Sequence, residues 1–370
     1  MKLTISRDTL APALAALSRI VERRNTIPIL SNILLAAKGE VLTLRATDLD
    51  IEARTTLPCT AEIEGALTLP AQTLTDIVGK LPAGADITLA TEGEKVILRS
   101  GRSRFQLHSL PESDFPDITA GEFSHRFEMA AATLAEMIAS TQFAISTEET
   151  RYYLNGIHLH TTEADGAPVL RAVATDGHRL ARLQMAAPEG AAGMPGIIVP
   201  RKTVGELARM AKDAKGDLAV EISATKIRIT AGATTLTSKL IDGTFPDYQR
   251  VIPAGNDKRA TVEAEAFRQA IDRVSTISSE RGRAVKLSLS DAGLTLSVSN
   301  PDSGAATEEL SPDYAGPPVE IGFNSRYLLD VLTVLGGDTV AMKLADAGSP
   351  AIFESRDNAP LLIVLMPMRV

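Results

Sequence analysis

The chain has 370 residues, too many for one ordinary domain and enough for two or three. Its 44% hydrophobic and 23% charged content is that of a globular protein, and no stretch approaches the 18 apolar residues of a membrane-spanning helix. One cysteine, Cys59, excludes an intrachain disulfide and a cysteine-rich zinc site, and the net charge of -8 weighs against a protein that grips phosphate by bulk attraction.

In chain order, Leu3-Thr4-Ile5 reads as a strand, and Leu10, Leu14, Leu17 and Val21 mark one face of a helix over 8–24. A strand ends in ATD at 46–48, and LTLP (67–70) leads into a helix over 71–81. Alternating strands at Ile87-Thr88-Leu89 and Val96-Ile97-Leu98 precede the closing segment SLPESDFPD (109–117). The same series then restarts. Phe127-Glu128-Met129 leads into a helix over 130–143 carrying Leu134, Met137, Ile138 and Phe143. ATD recurs at 174–176, and IIVP (197–200) precedes a helix over 201–215. Strands at 219–222 and 227–229 run into KLIDGTFPD (239–247). A third copy opens at Thr261-Val262-Glu263, with Phe267, Ile271, Val274 and Ile277 on a helix over 264–283. It continues through Val285 to Leu289, VSN (298–300), IGFN (321–324), a helix over 324–336 and the terminal LMPMRV.

Matching landmarks lie 124 to 135 residues apart, so each copy is a whole domain rather than a solenoid repeat. Each unit combines two helices with antiparallel sheet, an α+β architecture, with expected domains at 1–120, 121–252 and 253–370. The six predicted helices carry fourteen Lys and Arg against ten Asp and Glu, so an acidic chain can still present a mildly basic helical face. The opening MKLTISRDTL reads as strand and helix, with no signal peptide expected, and the free thiol points to a cytoplasmic location.

His178 and Asp176 invite a catalytic triad, but ATDLD (46–50) keeps the aspartate without a histidine. A carboxylate bonding the backbone of a strand-end turn is the better reading, and no catalytic residue, metal or cofactor is expected.

Local strings carry a resemblance that spans the whole chain: TIPILSNILL (26–35), SGRSRFQLHSLPESDFP (100–116), TQFAIS (141–146), RYYLNGI (151–157), VATDGHRLA (173–181), IIVPRK (197–202), TSKLIDGTFPDYQRVIP (237–253), EIGFNSRYLLDVL (320–332) and MPMRV (366–370). Together these resemble the β subunit of bacterial DNA polymerase III, the β sliding clamp. The resemblance implies a non-enzymatic DNA-clamp fold. Two chains of three domains would close head to tail into a six-domain ring, helices inward, around duplex DNA of any sequence. A domain of this size is about 35 Å across on radius-of-gyration scaling, so three in a ring leave a hole of ~5 Å and six leave ~35 Å. Groove depths make duplex DNA roughly 20 Å wide, so one chain is too few and two suffice.

The resemblance also implies a peptide-binding cleft lined by Leu154, Thr175, Gly177, His178, Arg179, Leu180, Pro246, Arg250, Val251, Asn324, Tyr327, Val364, Met366, Pro367, Met368 and Arg369. Its occupants would be Gln-led peptides with bulky apolar ends, carried by the polymerase III catalytic subunit, the clamp loader, other polymerases and repair proteins. Arg24, Lys80, Tyr152, Tyr153, Arg201 and Lys202 map onto DNA contacts, with acidic Glu148 beside them. Arg102, Arg104, Phe105 and Leu107 would face Thr276, Ile277, Glu308 and Glu309 of a second chain. The chain departs from the common pattern in ending on Val370 rather than Leu, and in Gly348 and Pro350 at the cleft edge. Two alternatives accompany this reading: a clamp paralogue serving drug resistance or damage response, and a cytosolic hydrolase using His178 or Cys59.

Overall fold

A computed structural model describes residues 1–22, 26–93, 95–118, 121–278, 283–355 and 360–370. The chain forms two compact units, one of Met1–Ala131 with Arg209–Leu240 and the other of Ala132–Ala208 with Ile241–Val370.

All six expected helices form: α1 Arg7–Leu17, α2 Ala71–Lys80, α3 Ala131–Thr141, α4 Arg201–Asp213, α5 Ala264–Ser275 and α6 Ser325–Leu335. Three of the starts follow side-chain capping chemistry. Ser6 Oγ accepts the Asp8 N–H, the Glu263 carboxylate accepts those of Glu265 and Ala266, and Asn324 accepts those of Arg326 and Tyr327. Their buried faces hold Leu10, Leu14 and Leu17 on α1 and Phe267, Ile271 and Val274 on α5, at the predicted spacing.

Every helix ends before its expected boundary, α2 and α6 by one residue and α3 by two. α1 stops at Leu17, where the Ser18 hydroxyl bonds back to the Leu14 carbonyl at 2.6 Å and the chain tightens into a turn that buries Ile20 rather than Val21. α5 stops at Ser275, not 283, because Ser275 and Thr276 hydroxyls both take the Asp272 carbonyl. α4 ends at Asp213 rather than 215. The cations counted on the extensions, Arg19 and Arg283 among them, therefore lie off the helices. Nine Lys and Arg remain on the six helices against eight Asp and Glu, so the expected helical surplus of four falls to one. α4 alone is clearly basic, with Arg201, Lys202, Arg209 and Lys212 against Glu206 and Asp213.

In the first unit, a five-stranded sheet runs in the order Thr60–Ile63, Lys2–Ser6, Asp86–Glu92, Lys95–Ser100, Ser103–His108. An eight-stranded sheet runs His125–Ala130, Asp217–Ile222, Lys226–Ala231, Thr234–Lys239, Ile51–Pro58, Val41–Thr47, Asn32–Lys38, Gly65–Pro70. In the second unit, an eight-stranded sheet runs Ile197–Pro200, Gly156–Ala164, Ala167–Thr175, Arg179–Ala186, Leu361–Leu365, Ala351–Ser355, Thr339–Leu344, Lys258–Glu263. A four-stranded sheet runs Gly304–Leu310, Gly293–Asn300, Ala284–Ser290, Val319–Asn324. The ladders are antiparallel, as the period-two alternation requires.

Each eight-stranded sheet is thus shared between two sequence repeats. One seam pairs Ile51–Pro58, which follows the first ATD, with Thr234–Lys239, which precedes the second closing segment. The other pairs Arg179–Ala186, after the second ATD, with Leu361–Leu365, before the terminal MPMRV. The sequence repeats and the compact units are therefore different divisions of the same chain.

Candidate functional site

The strand-end turn reading is borne out at both aspartates, and an asparagine amide oxygen plays the same part in the third repeat. Asp48 Oδ1 accepts the N–H groups of Asp50 and Ile51 at 2.9 and 2.7 Å. Asp176 Oδ1 accepts those of His178 and Arg179 at 2.9 and 3.0 Å, and Asn300 accepts that of Asp302 at 2.9 Å. Gly177 sits at φ +88°, and a Cβ there would lie 2.5 Å from an Arg151 guanidinium nitrogen.

Beyond this turn the strand alternates, and that separates two residues expected side by side. Leu180 faces an apolar cluster with Val173, Tyr248, Ile352 and Val364, against which Phe245, Ile252 and Leu362 pack. Arg179 does not share this rim. It turns to the opposite, helix-bearing face, pairs with Asp176 at 3.1 Å and Asp330 at 2.5 Å, and stacks on Tyr327 and Phe143. With its side chain 11% exposed, Arg179 braces the turn rather than edging an apolar groove.

The candidate peptide site over Leu180 lies at the second repeat junction, where Leu180 is opposite Val364. One wall is the closing segment: exposed Pro246, buried Tyr248, and a short turn whose Val251 remains 49% exposed. Arg250 is exposed and pairs with Asp247 at 2.8 Å. The C-terminal tail leaves the sheet after Leu365. The Met366 N–H donates to the His178 carbonyl at 2.8 Å and the Met368 N–H to the Gly322 carbonyl at 2.7 Å. Gly322 permits this approach, since a Cβ there would lie 2.6 Å from the Met368 oxygen. Met366 stays 39% exposed, Pro367 and Met368 are half-buried, and Arg369 points into solvent. Buried Leu180 and Val364 thus share this part of the fold with two segments that keep apolar side chains exposed, Val251 in the closing segment and Met366 in the tail. Thr175 is buried, its hydroxyl donating to the Arg179 carbonyl, and Leu154 is buried at the end of its own short turn.

Sequence reasoning missed the groove's support. Tyr248 is fixed by its hydroxyl, 3.0 Å from His160 Nε2 and 3.2 Å from the Arg171 guanidinium. The His158 ring stacks between Phe245 and His160 at 4.7 and 4.8 Å, with Nδ1 3.1 Å from the Ile197 carbonyl. Burial, with His160 beside it, lowers the His158 pKa to about 4, so the ring is neutral and Nδ1 donates. Period-two spacing back from Thr175 would have found Val173 and Arg171 on the groove face.

On the helix face, a cavity of about 520 Å³ gathers His178, Asn324 and Tyr327 with Arg201, Arg283 and Arg326. Asn324 spends its side chain capping α6. Glu148 also lines this cavity, but it is bound by Arg151 at 2.5 and 2.8 Å, which holds its carboxyl below the usual range. Tyr152 is 53% exposed and meets Tyr153 edge to face at 5.8 Å. Lys80 is exposed at the end of α2 and Lys202 on the first turn of α4. Arg24 lies outside the described residues.

Five of the eight expected subunit-contact residues fall on strands that are sheet edges among the described residues. Phe105 (half-buried) and Leu107 (buried) are on Ser103–His108, with exposed Arg104 and with Arg102 in the preceding turn. Glu308 and Glu309 are on Gly304–Leu310, while Thr276 and Ile277 follow α5. Glu308 is already held by Arg273 of its own chain, and Arg104 lies 3.6 Å from Glu92.

Among the described residues, neither His178 nor Cys59 has the partners of an activated nucleophile. Both Asp176 oxygens are engaged by the turn and by Arg179, and it is the His178 backbone N–H, not its ring, that bonds to this carboxylate. Cys59 is buried, and burial with nearby Glu40 pushes its thiol up, away from the reactive thiolate.

Comparison with known proteins decides the family. Models of the N-terminal, central and C-terminal domains of the DNA polymerase III beta subunit match residues 1–119, 128–247 and 249–369. The chain belongs to the DNA polymerase III beta subunit family. A beta sliding clamp of Caulobacter vibrioides is 49% identical over 372 residues, and that of Escherichia coli K12 is 41% identical over 374, each covering both chains completely. Among solved structures, the Bartonella birtlesii sliding clamp bound to griselimycin superposes with a TM-score of 0.97 at 50% identity over the full length of both chains. A Pseudomonas aeruginosa sliding clamp with ligand gives 0.95 at 39% identity, again over both full lengths. Three clamp domains, a sliding-clamp role in DNA replication and the absence of a catalytic role follow from membership.

Proposed function

We propose that two copies of this chain close head to tail around duplex DNA in the cytoplasm, and that each tethers its polymerase through the groove over Leu180 and Val364. The observation that carries the ring is a repeated strand pairing left open once. Within the chain, the strand after ATD twice pairs with the strand before the next closing segment. The remaining members of the series are Gly304–Leu310, after VSN, and Ser103–His108, before SLPESDFPD, both sheet edges among the described residues. A second copy supplies each with its missing partner, a heterologous contact that closes after two chains.

The register follows from the hairpins. Ala46 lies opposite Ala53 and Val298 opposite Ala306, so Ala306 takes the place of Ala53. Ile229 opposite Leu236 matches Leu98 opposite Phe105. Since Leu236 pairs with Ala53, Phe105 should pair with Ala306 of the second copy, its ring directed towards Ile277. Apolar burial there supplies the stability. Arg102 and Arg104 near Glu308 and Glu309 set register more than affinity.

For DNA, Lys80, Tyr152, Tyr153, Arg201, Lys202 and Arg24 serve as sequence-blind backbone contacts. A helical surplus of one charge makes them weak and salt-sensitive, so encirclement rather than attraction holds the protein. The groove takes apolar, Gln-led peptides from the polymerase, the clamp loader and other repair or replication proteins. The repeats at 1–120, 121–252 and 253–370 are the building blocks, with the three family matches in support. Sedimentation tests the ring: a dimer of about twice 39.3 kDa at micromolar concentration is expected, and a persistent monomer would end the proposal.

A further inference from the structure

The two repeat junctions inside the chain share one strand geometry but not one chemistry. Thr47 opposite Glu52 matches Thr175 opposite Leu180, so Glu52 occupies the place of Leu180. Arg45, two residues before Thr47, takes that of Val173, and Thr237, opposite Glu52, takes that of Val364. Val173, Leu180 and Val364 belong to the buried apolar cluster of the proposed peptide site. At the first junction the same three positions carry a charge pair and a hydroxyl.

That pair is closed. The Glu52 side chain is 1% exposed and receives Arg45 Nε and Nη2 at 3.0 and 2.8 Å. Arg45 also reaches Asp117 at 3.3 Å and lies over the Phe115 ring at 5.5 Å. Phe115-Pro116-Asp117 is the counterpart of Phe245-Pro246-Asp247, the groove wall. The closing segment is therefore joined to the sheet by a charge network at the first junction, where the second junction joins them by apolar packing around Leu180. A cavity of about 450 Å³ still opens alongside, with Glu52 and Thr237 in its lining.

We infer that the Arg45–Glu52 pair is a specificity determinant: it denies the first junction to apolar clamp-binding peptides, so each chain offers one groove where the repeat would give two. The inference rests on the peptide-binding reading of the second junction. An apolar side chain entering between wall and floor would part Arg45 from Glu52 and leave a buried charge unpaired, the costly half of the exchange. Replacing both partners together with apolar residues is commonly neutral or stabilising, so the blocked site can be opened without unfolding the chain.

The test is the full-length triple variant Arg45→Val, Glu52→Leu, Thr237→Val, titrated with the peptide Gln-Leu-Ala-Leu-Phe by calorimetry. Wild type should bind one peptide per chain and the variant two, the new site within about a hundredfold of the first. A stoichiometry of one in a folded, dimeric variant overturns the inference, as does two in wild type. If the triple variant does not fold, Val173→Arg with Leu180→Glu moves the pair to the second junction. That double variant should melt higher than either single one and bind peptide at least a hundredfold more weakly than wild type. Peptide affinity retained in it overturns the inference. Wild type that binds no peptide sinks the groove reading itself, whereas one peptide per chain with an unresponsive triple variant sinks only this inference.

Discussion

Deleting Met366 to Val370 should cost the peptide most of its grip and the dimer nothing. The sheet ladder ends at Leu365, so the truncation removes no strand, only the isolated bridge between Met368 and Gly322. It removes two tail hydrogen bonds, Met366 to His178 and Met368 to Gly322, worth about 2 kcal/mol together on the scale of about 1 each. The floor of Leu180, Val364 and Ile352 stays buried beneath Tyr248, so the groove keeps one wall and loses its exposed methionine lip. Loss of a central anchor costs about 2 kcal/mol or more, which is roughly thirtyfold in affinity. Calorimetry with Gln-Leu-Ala-Leu-Phe, beside sedimentation of the same preparation, reads both halves. Unchanged affinity in a folded dimer would show that the tail only finishes the sheet, and the groove would need another edge.

Phe105→Asp should yield monomers at micromolar concentration, because it sets a carboxylate against Ala306 in an apolar seam; a stable dimer in sedimentation would refute the register. Gly322→Ala should weaken the peptide by displacing the Met368 carbonyl, with little change in dimerisation, and equal affinity would contradict the tail's role. Acid should loosen the groove's support. His158 has a folded pKa of about 4 against an ordinary 6.5, so between those values the unfolded chain takes a proton that the fold refuses. Stability is therefore lost as pH falls from 6.5 to 4, by about 3 kcal/mol at 1.36 per pH unit. In urea unfolding at pH 7 and 4.5, His158→Leu should lose less than wild type; identical losses would remove His158 from the account.

How much of this was legible in the sequence varied with the physics. Helix starts were, because Ser6, Glu263 and Asn324 cap them through their own side chains. Helix ends were not: the run from Val274 to Ser278 keeps its apolar spacing while its hydroxyls compete for backbone carbonyls and unwind the helix. The turn at Asp176 was readable from its repeat at Asp48. The orientation of Arg179 was missed because neighbours in sequence were assigned to one rim, although a strand sends them to opposite faces. The Arg45–Glu52 pair was invisible for a different reason. Charges alternating with leucines read as a wet face, and only the fold shows Glu52 shut away there, bound by the arginine that reaches Asp117 of the closing segment.

The central claim is that topology holds this protein on DNA. The most direct measurement loads it with a clamp loader onto nicked circular duplex, removes free protein, and follows what remains bound before and after a single restriction cut. Encirclement predicts retention for minutes on the circle and release through the free ends once it is linear. Equal retention on circular and linear DNA would mean that phosphate contacts hold the protein, and the ring account would be wrong.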